Sequence, residues 1–173
     1  YHGPQGMRRI ATRIHRLAAL FAQAVRNAGD KLLFDQFYDT VQVDLGERAD
    51  VVYAKALRVG YNVRKTRPGV LGVAFHEATT REDLAVLITV FTGHPVDIDA
   101  LDSVTHDALP ESLVRRTPVF HHPIFQRYPT EHEMLRYLKR LENKDLALNR
   151  SMIALGSCTM KLNATSEMIP ITW

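Results

Sequence analysis

The sequence has 173 residues, 46% of them hydrophobic and 24% charged, with a formal net charge of +3. That balance belongs to a globular chain and excludes intrinsic disorder, and the length holds one ordinary domain or one small domain with part of another. One Cys, Cys158, excludes an internal disulfide framework, and no apolar run approaches the ~18 residues of a membrane span. Arg8, Arg9, Arg13 and Arg16 are dispersed without interleaved aromatic residues, which reads as a solvated helix face and not as a nucleic-acid surface. The opening Tyr1-His2-Gly3-Pro4, with no initiator Met and no signal peptide, reads as mid-protein, so the expectation is a piece of a larger molecule.

From Pro4, Met7, Ile10, Ile14, Leu17, Phe21 and Val25 recur at three- and four-residue steps and predict a long amphipathic helix, ended by Asn27-Ala28-Gly29. Partial alternation predicts a strand over Phe37 to Leu45. Residues 47 to 59 predict a short helix closed by Gly60. Two strands follow, near Tyr61 to Arg64 and Val70 to Phe75, with Arg67-Pro68-Gly69 as the turn. Thr80 with Asp83 is a weaker form of the capping box, opening a helix whose stripe is Leu84, Leu87, Ile88 and Phe91 and whose stop is Gly93. The order helix, strand, helix, strand, strand, helix predicts an α+β fold: a small antiparallel sheet with helices on one face, placed at residues 1–102. Residues 103–129, rich in Pro and His (Pro110, Pro118, Pro123, Pro129, His106, His121, His122), predict a connector. Residues 130–173 open a new unit. There Thr130-Glu131-His132-Glu133 is a full capping box before Met134, Leu135, Leu138 and Leu141, and a helix is expected from Glu131 to about Lys144.

The chemistry-bearing residues are few in pattern. His76, His106, His121, His122 and His132 show no metal-ligand spacing, and exposed or capping histidines are the expectation. Cys158 has no base nominated by the sequence, and Lys161 has neither a pocket nor a facing acid around it. No glycine-rich dinucleotide or phosphate loop is present. The run Leu155 to Ala164 packs small, hydroxylated, thiol, amide and amine groups behind Gly156. Ser157, Cys158, Thr159, Lys161 and Asn163 are therefore candidates for lining a substrate pocket, with backbone N–H groups and hydroxyls suited to an anion. A structural turn leading into the next domain is the other reading of the same run.

Several stretches carry a resemblance. Leu155-Gly156-Ser157-Cys158-Thr159-Met160-Lys161-Leu162-Asn163-Ala164 with Glu167-Met168-Ile169-Pro170-Ile171-Thr172-Trp173 is similar to the glycine dehydrogenase (decarboxylating) family, the P-protein of the glycine cleavage system. So are Glu133 to Leu146, Tyr1-His2-Gly3-Pro4, Arg9-Ile10-Ala11, Ile14-His15-Arg16-Leu17, Phe37-Tyr38-Asp39-Thr40 and Glu77-Ala78-Thr79-Thr80-Arg81-Glu82-Asp83. The resemblance implies a fold-type I pyridoxal phosphate enzyme of two homologous halves. Residues 1–102 would be the small α+β domain that ends the N-terminal half, and 130–173 the entry to the C-terminal half. It implies decarboxylation of glycine with pyridoxal phosphate as the electron sink, and passage of the aminomethyl group to the lipoyl arm of the H-protein. A continuous crossing between halves implies fusion and a homodimer. The implied compartment is the bacterial cytoplasm, or the mitochondrial matrix for a eukaryotic source. The family's Schiff-base lysine belongs to a later His-Lys-Thr segment that this sequence does not contain, so no catalytic residue is expected here and the chain alone is expected to be inactive. The sequence departs from the family pattern at Ala154 (a Pro), at His76 and Ala78 (Asp and Thr), and at Pro129 (a His). The competing class is a non-enzymatic α+β ligand-binding or interaction module.

Overall fold

The computed structural model describes residues 1–107 and 109–144. They fall into two units, Pro4–Val119, and Tyr1–Gly3 together with the residues from Phe120 onward. The first helix, α1 (Gly3–Asn27), follows the predicted stripe only in part. Met7 is exposed and Ile10 and Ile14 are half-buried, whereas from Leu17 to Val25 nearly every position is buried, four alanines among them. Alanine favours the helix and lets neighbouring elements approach closely, so this half of α1 runs through the core and not along its edge. Gly29, at φ +89°, ends it as expected.

The sheet has four antiparallel strands in the order β1-β2-β4-β3: β1 (Lys31–Leu32), β2 (Thr40–Asp44), β3 (Arg64–Arg67) and β4 (Val70–Ala74). Val41 pairs with Val73 and Val43 with Leu71, so these four side chains share one face, and all are buried. Onto that face pack α1, α2 (Ala49–Arg58, entered through a 3-10 turn at Gly46–Arg48) and α3 (Arg81–Thr92). Phe21 of α1 sits between Phe75 and Phe91, with ring centroids 5.6 and 5.0 Å away. The α+β fold with a small antiparallel sheet is therefore as the sequence predicts.

Two strand boundaries, two short elements and one helix cap differ from the sequence reading. The strand expected near Tyr61 to Arg64 is Arg64–Arg67, because the tight Pro68-Gly69 turn forces β3 to abut it and fixes the pairing with β4. An edge strand reading Arg-Lys-Thr-Arg carries no apolar alternation to find it by. The strand expected from Phe37 begins at Thr40, since Phe37 and Tyr38 pack on α1 in a bend before it. Strand β1 and helix α4 (Ile98–Val104, capped by Asp97) were not anticipated; two residues and seven are too short for periodicity to register. At α6 (Glu131–Glu142), which follows the short α5 (Ile124–Arg127), the expected full capping box is half formed. Thr130 Oγ1 accepts from the Glu133 amide at 3.3 Å, but the Glu133 carboxylate accepts a hydrogen bond from the Thr130 hydroxyl at 2.9 Å and not from the Thr130 amide. The reciprocal box forms at Thr80–Asp83, where the shorter carboxylate reaches back to the amide at 2.8 Å.

Candidate functional site

Ser157, Cys158, Thr159, Lys161 and Asn163, the predicted pocket-lining residues, lie outside the described residues, as does Ala154. Among the described residues, polar side chains converge at two adjoining places: a seam along α1 and a cleft beside the turn of residues 76–80.

The seam follows from helix periodicity: Ala11 and His15, four residues apart, share one side of α1, and Arg13 and Arg16, three residues apart, share the neighbouring side. His15 is buried; its Nδ1 lies 2.8 Å from the Tyr38 carbonyl oxygen, and its ring stacks on Tyr38 with centroids 5.8 Å apart. The Tyr38 hydroxyl donates to the Ala11 carbonyl at 3.0 Å. Burial first, and then the neighbouring Asp39 charge, push the Tyr38 hydroxyl pKa up, so it stays a donor. Arg13 donates to the carbonyls of Glu77 at 3.0 Å and Thr79 at 2.5 Å. Arg16 binds the Asp102 carboxylate at 2.6 Å and the Thr105 carbonyl at 2.9 Å, which fastens α4 to α1. Asp102 also receives Arg81 at 3.3 Å, and the Arg16 hydrogen bond, with Arg81 second, holds its carboxyl below the usual carboxylate range. The sequence reading put Arg13 and Arg16 on a solvated helix face, and this is corrected: both guanidinium groups are engaged, Arg13 by the Glu77 and Thr79 carbonyls and Arg16 by Asp102 and the Thr105 carbonyl. It did not single out His15, Tyr38 or Asp102 individually. Most of them stand inside the short motifs that carried the resemblance, which was the available signal.

The cleft measures about 240 Å³ and is walled by Tyr61, Asn62, Val63, His76, Thr79 and Asp83 among others. The Tyr61 hydroxyl donates to Asp83 Oδ1 at 2.6 Å, while Asp83 Oδ2 accepts from the Thr80 amide and hydroxyl. These bonds, the Tyr61 one foremost, hold Asp83 below its ordinary value, and the same bond raises Tyr61. Near neutral pH the carboxyl stays charged and the phenol stays protonated, so the pair locks the start of α3 and has no proton to exchange. His76 accepts the Ala78 amide on Nδ1 at 3.2 Å. An Asp makes the same two-residue turn through its carboxylate, so His at this position keeps the acceptor while changing the residue type. His122 does likewise with the Ile124 amide at 3.2 Å. His76, His106, His121, His122 and His132 are all exposed. No group of three His, Cys, Asp or Glu side chains suited to a metal ion occurs among the described residues.

In the second unit Tyr128 and Tyr137 stack with centroids 4.3 Å apart, and Arg140 lies over both rings, at 5.5 and 5.2 Å. Arg140 also donates to the Tyr128 hydroxyl. Thr130 caps α6 two residues after Tyr128.

The motif residues 9–17, 37–40 and 77–83, all within the first 91 positions, supply much of the seam and part of the cleft, joined by Asp102 and Thr105 in the seam and by Tyr61, Asn62, Val63 and His76 in the cleft. The sequence model described as "Glycine cleavage system P-protein" matches residues 1–91, more than half of the chain. The chain belongs to the glycine cleavage system P-protein family. Similarity extends over all 173 residues in individual relatives. The glycine dehydrogenase (decarboxylating) of Chromobacterium violaceum is 64% identical, that of Dechloromonas aromatica 56% and that of Stenotrophomonas maltophilia 52%. Each match takes in the whole chain and 18% of the relative, so the chain spans about a fifth of the length of these P-proteins.

The described P-protein residues do not fit pyridoxal phosphate. Neither lysine nor arginine lines the cleft. Lys65 is spent on Asp50 at 2.6 Å, and the first turn of α3, where a phosphate would bind, is filled by the Thr80–Asp83 box. No helix among the described residues is long and apolar enough to cross a membrane.

Proposed function

We propose that this chain is the part of a glycine-decarboxylating enzyme that closes its N-terminal half and leads into its C-terminal half. Residues 1–102 form the small domain, 103–129 the connector and 130–173 the entry to the second half. The enzyme decarboxylates glycine and hands the aminomethyl group to the lipoyl arm of the H-protein. It works as a homodimer in the bacterial cytoplasm. The observation that carries the reading is the alignment of the entire chain with glycine dehydrogenases (decarboxylating) at up to 64% identity. Pyridoxal phosphate supplies the electron sink for the carboxyl loss from elsewhere in the polypeptide. Ser157, Cys158, Thr159, Lys161 and Asn163 line the substrate pocket from the side of the second half. The contribution of residues 1–107 is mechanical: the α1 seam and the Tyr61–Asp83 lock hold the small domain in one shape.

The test is the exchange of labelled bicarbonate into the glycine carboxyl by the full-length polypeptide with lipoylated H-protein. Exchange supports the reading, and its absence refutes it. The 173-residue chain by itself is expected to retain no pyridoxal phosphate absorbance after dialysis; retention would overturn the claim that the cofactor lysine lies outside it.

A further inference from the structure

We infer that the cleft beside the turn of residues 76–80 is a binding site for a small uncharged carboxamide. It lies where the sheet loses a strand. β3 pairs with β4 only as far as Arg64 against Gly72, and Asn62 and Val63, which lead into β3, stand outside the ladder. On the other side of β4, the Phe75 amide donates to the Asp39 carbonyl at 3.0 Å and the Leu45 amide to the Gly69 carbonyl at 2.8 Å. With the β2–β4 register, these bonds place the hydrogen-bonding groups of Leu71, Val73 and Phe75 toward β2. Those of Gly72 and Ala74 therefore point the opposite way, Gly72 to β3 and Ala74 to the cleft beyond the end of β3. Ala74 offers one main-chain donor and one acceptor side by side, which is the pairing that a carboxamide presents.

Three more polar groups line the same space. Thr79 is 7% exposed; its hydroxyl accepts from the His76 amide at 3.1 Å, and the hydroxyl proton has no acceptor among the described residues. His76 accepts the Ala78 amide on Nδ1, so its ring proton sits on Nε2 as a further donor. The Asn62 side chain has no hydrogen-bond partner among the described residues. Val63, Val73 and Leu87 supply an apolar wall. Asp83 is charged, and neither lysine nor arginine lines the cleft, so an anion meets repulsion and no counter-charge. Water alone satisfies the polar groups and leaves the apolar wall unmatched, whereas a carboxamide with a short alkyl end matches both. A volume of about 240 Å³, below the ~300–1,000 Å³ of drug-sized sites, keeps that ligand small.

The test titrates the isotope-labelled 173-residue chain with isobutyramide and, separately, with isobutyrate, its anionic counterpart of the same shape, and follows amide resonances by NMR. The Ala74 main-chain amide and the Asn62 side-chain amide are expected to shift saturably with isobutyramide, with a Kd of about 1–10 mM, and not with isobutyrate. Ala74→Pro removes the donor that faces the cleft and no bond to β2, and is expected to weaken binding about fivefold, read at Asn62. If Ala74→Pro does not fold, Asn62→Ala is read at Ala74 instead, with a loss of a few-fold. Absence of saturable shifts with isobutyramide overturns the site. Equal binding of isobutyrate overturns it too, and so does an affinity unchanged in the variant that is read.

Discussion

A histidine on a long helix is usually at the surface, but His15 is 4% exposed and serves as a joint between α1 and the segment before β2. Replacing it with alanine removes a stack and a hydrogen bond and leaves the Tyr38 carbonyl short of a partner. His15→Ala is expected to destabilise by about 2–4 kcal/mol. Tyr38→Phe keeps the stack and loses only the bond to Ala11, for about 1 kcal/mol. Urea midpoints of the two variants check the ranking; equal losses would mean the stack contributes nothing. A second pair, Tyr61 and Asp83, makes one hydrogen bond of the fold pH-dependent. Asp83 lies below its ordinary 3.8, so its contribution is complete above that value and is lost as pH falls through the folded value. Tyr61 lies above its ordinary 10.0, so its contribution is complete below that value and is lost as pH rises through the folded value. One hydrogen bond therefore fails at both extremes. Tyr61→Phe is expected to flatten the alkaline limb of stability against pH, and Asp83→Asn the acid limb, measured by chemical denaturation across the range. Unchanged limbs would show that the bond does not form in solution.

At the scale of elements, the ends of α3 and the hairpin between β3 and β4 are the positions most exposed to a single substitution. Thr80→Ala breaks a reciprocal box and is expected to cost about 1–2 kcal/mol, whereas Thr130→Ala breaks half a box on an exposed helix and is expected to cost about half as much. Thermal midpoints of the two variants test this. Gly69 shows a sharper constraint. Its φ is +79°, and a Cβ there would lie 3.2 Å from the Gly46 Cα and 3.4 Å from the Gly46 carbonyl oxygen, so two glycines face each other where the hairpin passes the entry to α2. Gly93 has a similar φ of +83° with nothing within 4 Å of a Cβ. Gly69→Ala combines strain with a backbone clash and is expected to lower the melting temperature clearly more than Gly93→Ala, which suffers about 1 kcal/mol of strain alone. The Pro-Gly pair and the Thr-x-x-Asp pattern were legible in the sequence, because turn and cap chemistry is local. The facing glycine was not, because Gly46 and Gly69 meet only after β2 and β4 pair. The limits of β3 were hidden for the same kind of reason: its register is set by the turn and its partner, and its own side chains are charged.

At the scale of the molecule, the buried residues among the described ones are Gly6 and a set running from His15 to Thr105, all inside the unit Pro4–Val119. No residue of α5 or α6 is buried. A segment of residues 4–119 is therefore expected to unfold in one cooperative step, followed by circular dichroism in urea, and a broad drift without a transition would refute this. The sequence by itself determined the fold class, the three longer helices of the first unit and the family, since periodicity, caps and motif strings are written in neighbouring residues. Only the tertiary structure decided why those motifs exist. It brought Arg13 to the carbonyls of Glu77 and Thr79, His15 to Tyr38, Arg16 to Asp102, and Lys65 to Asp50. Each of these joins residues distant in the chain, and such contacts exist only once the apolar faces have packed and fixed the register of helix against sheet.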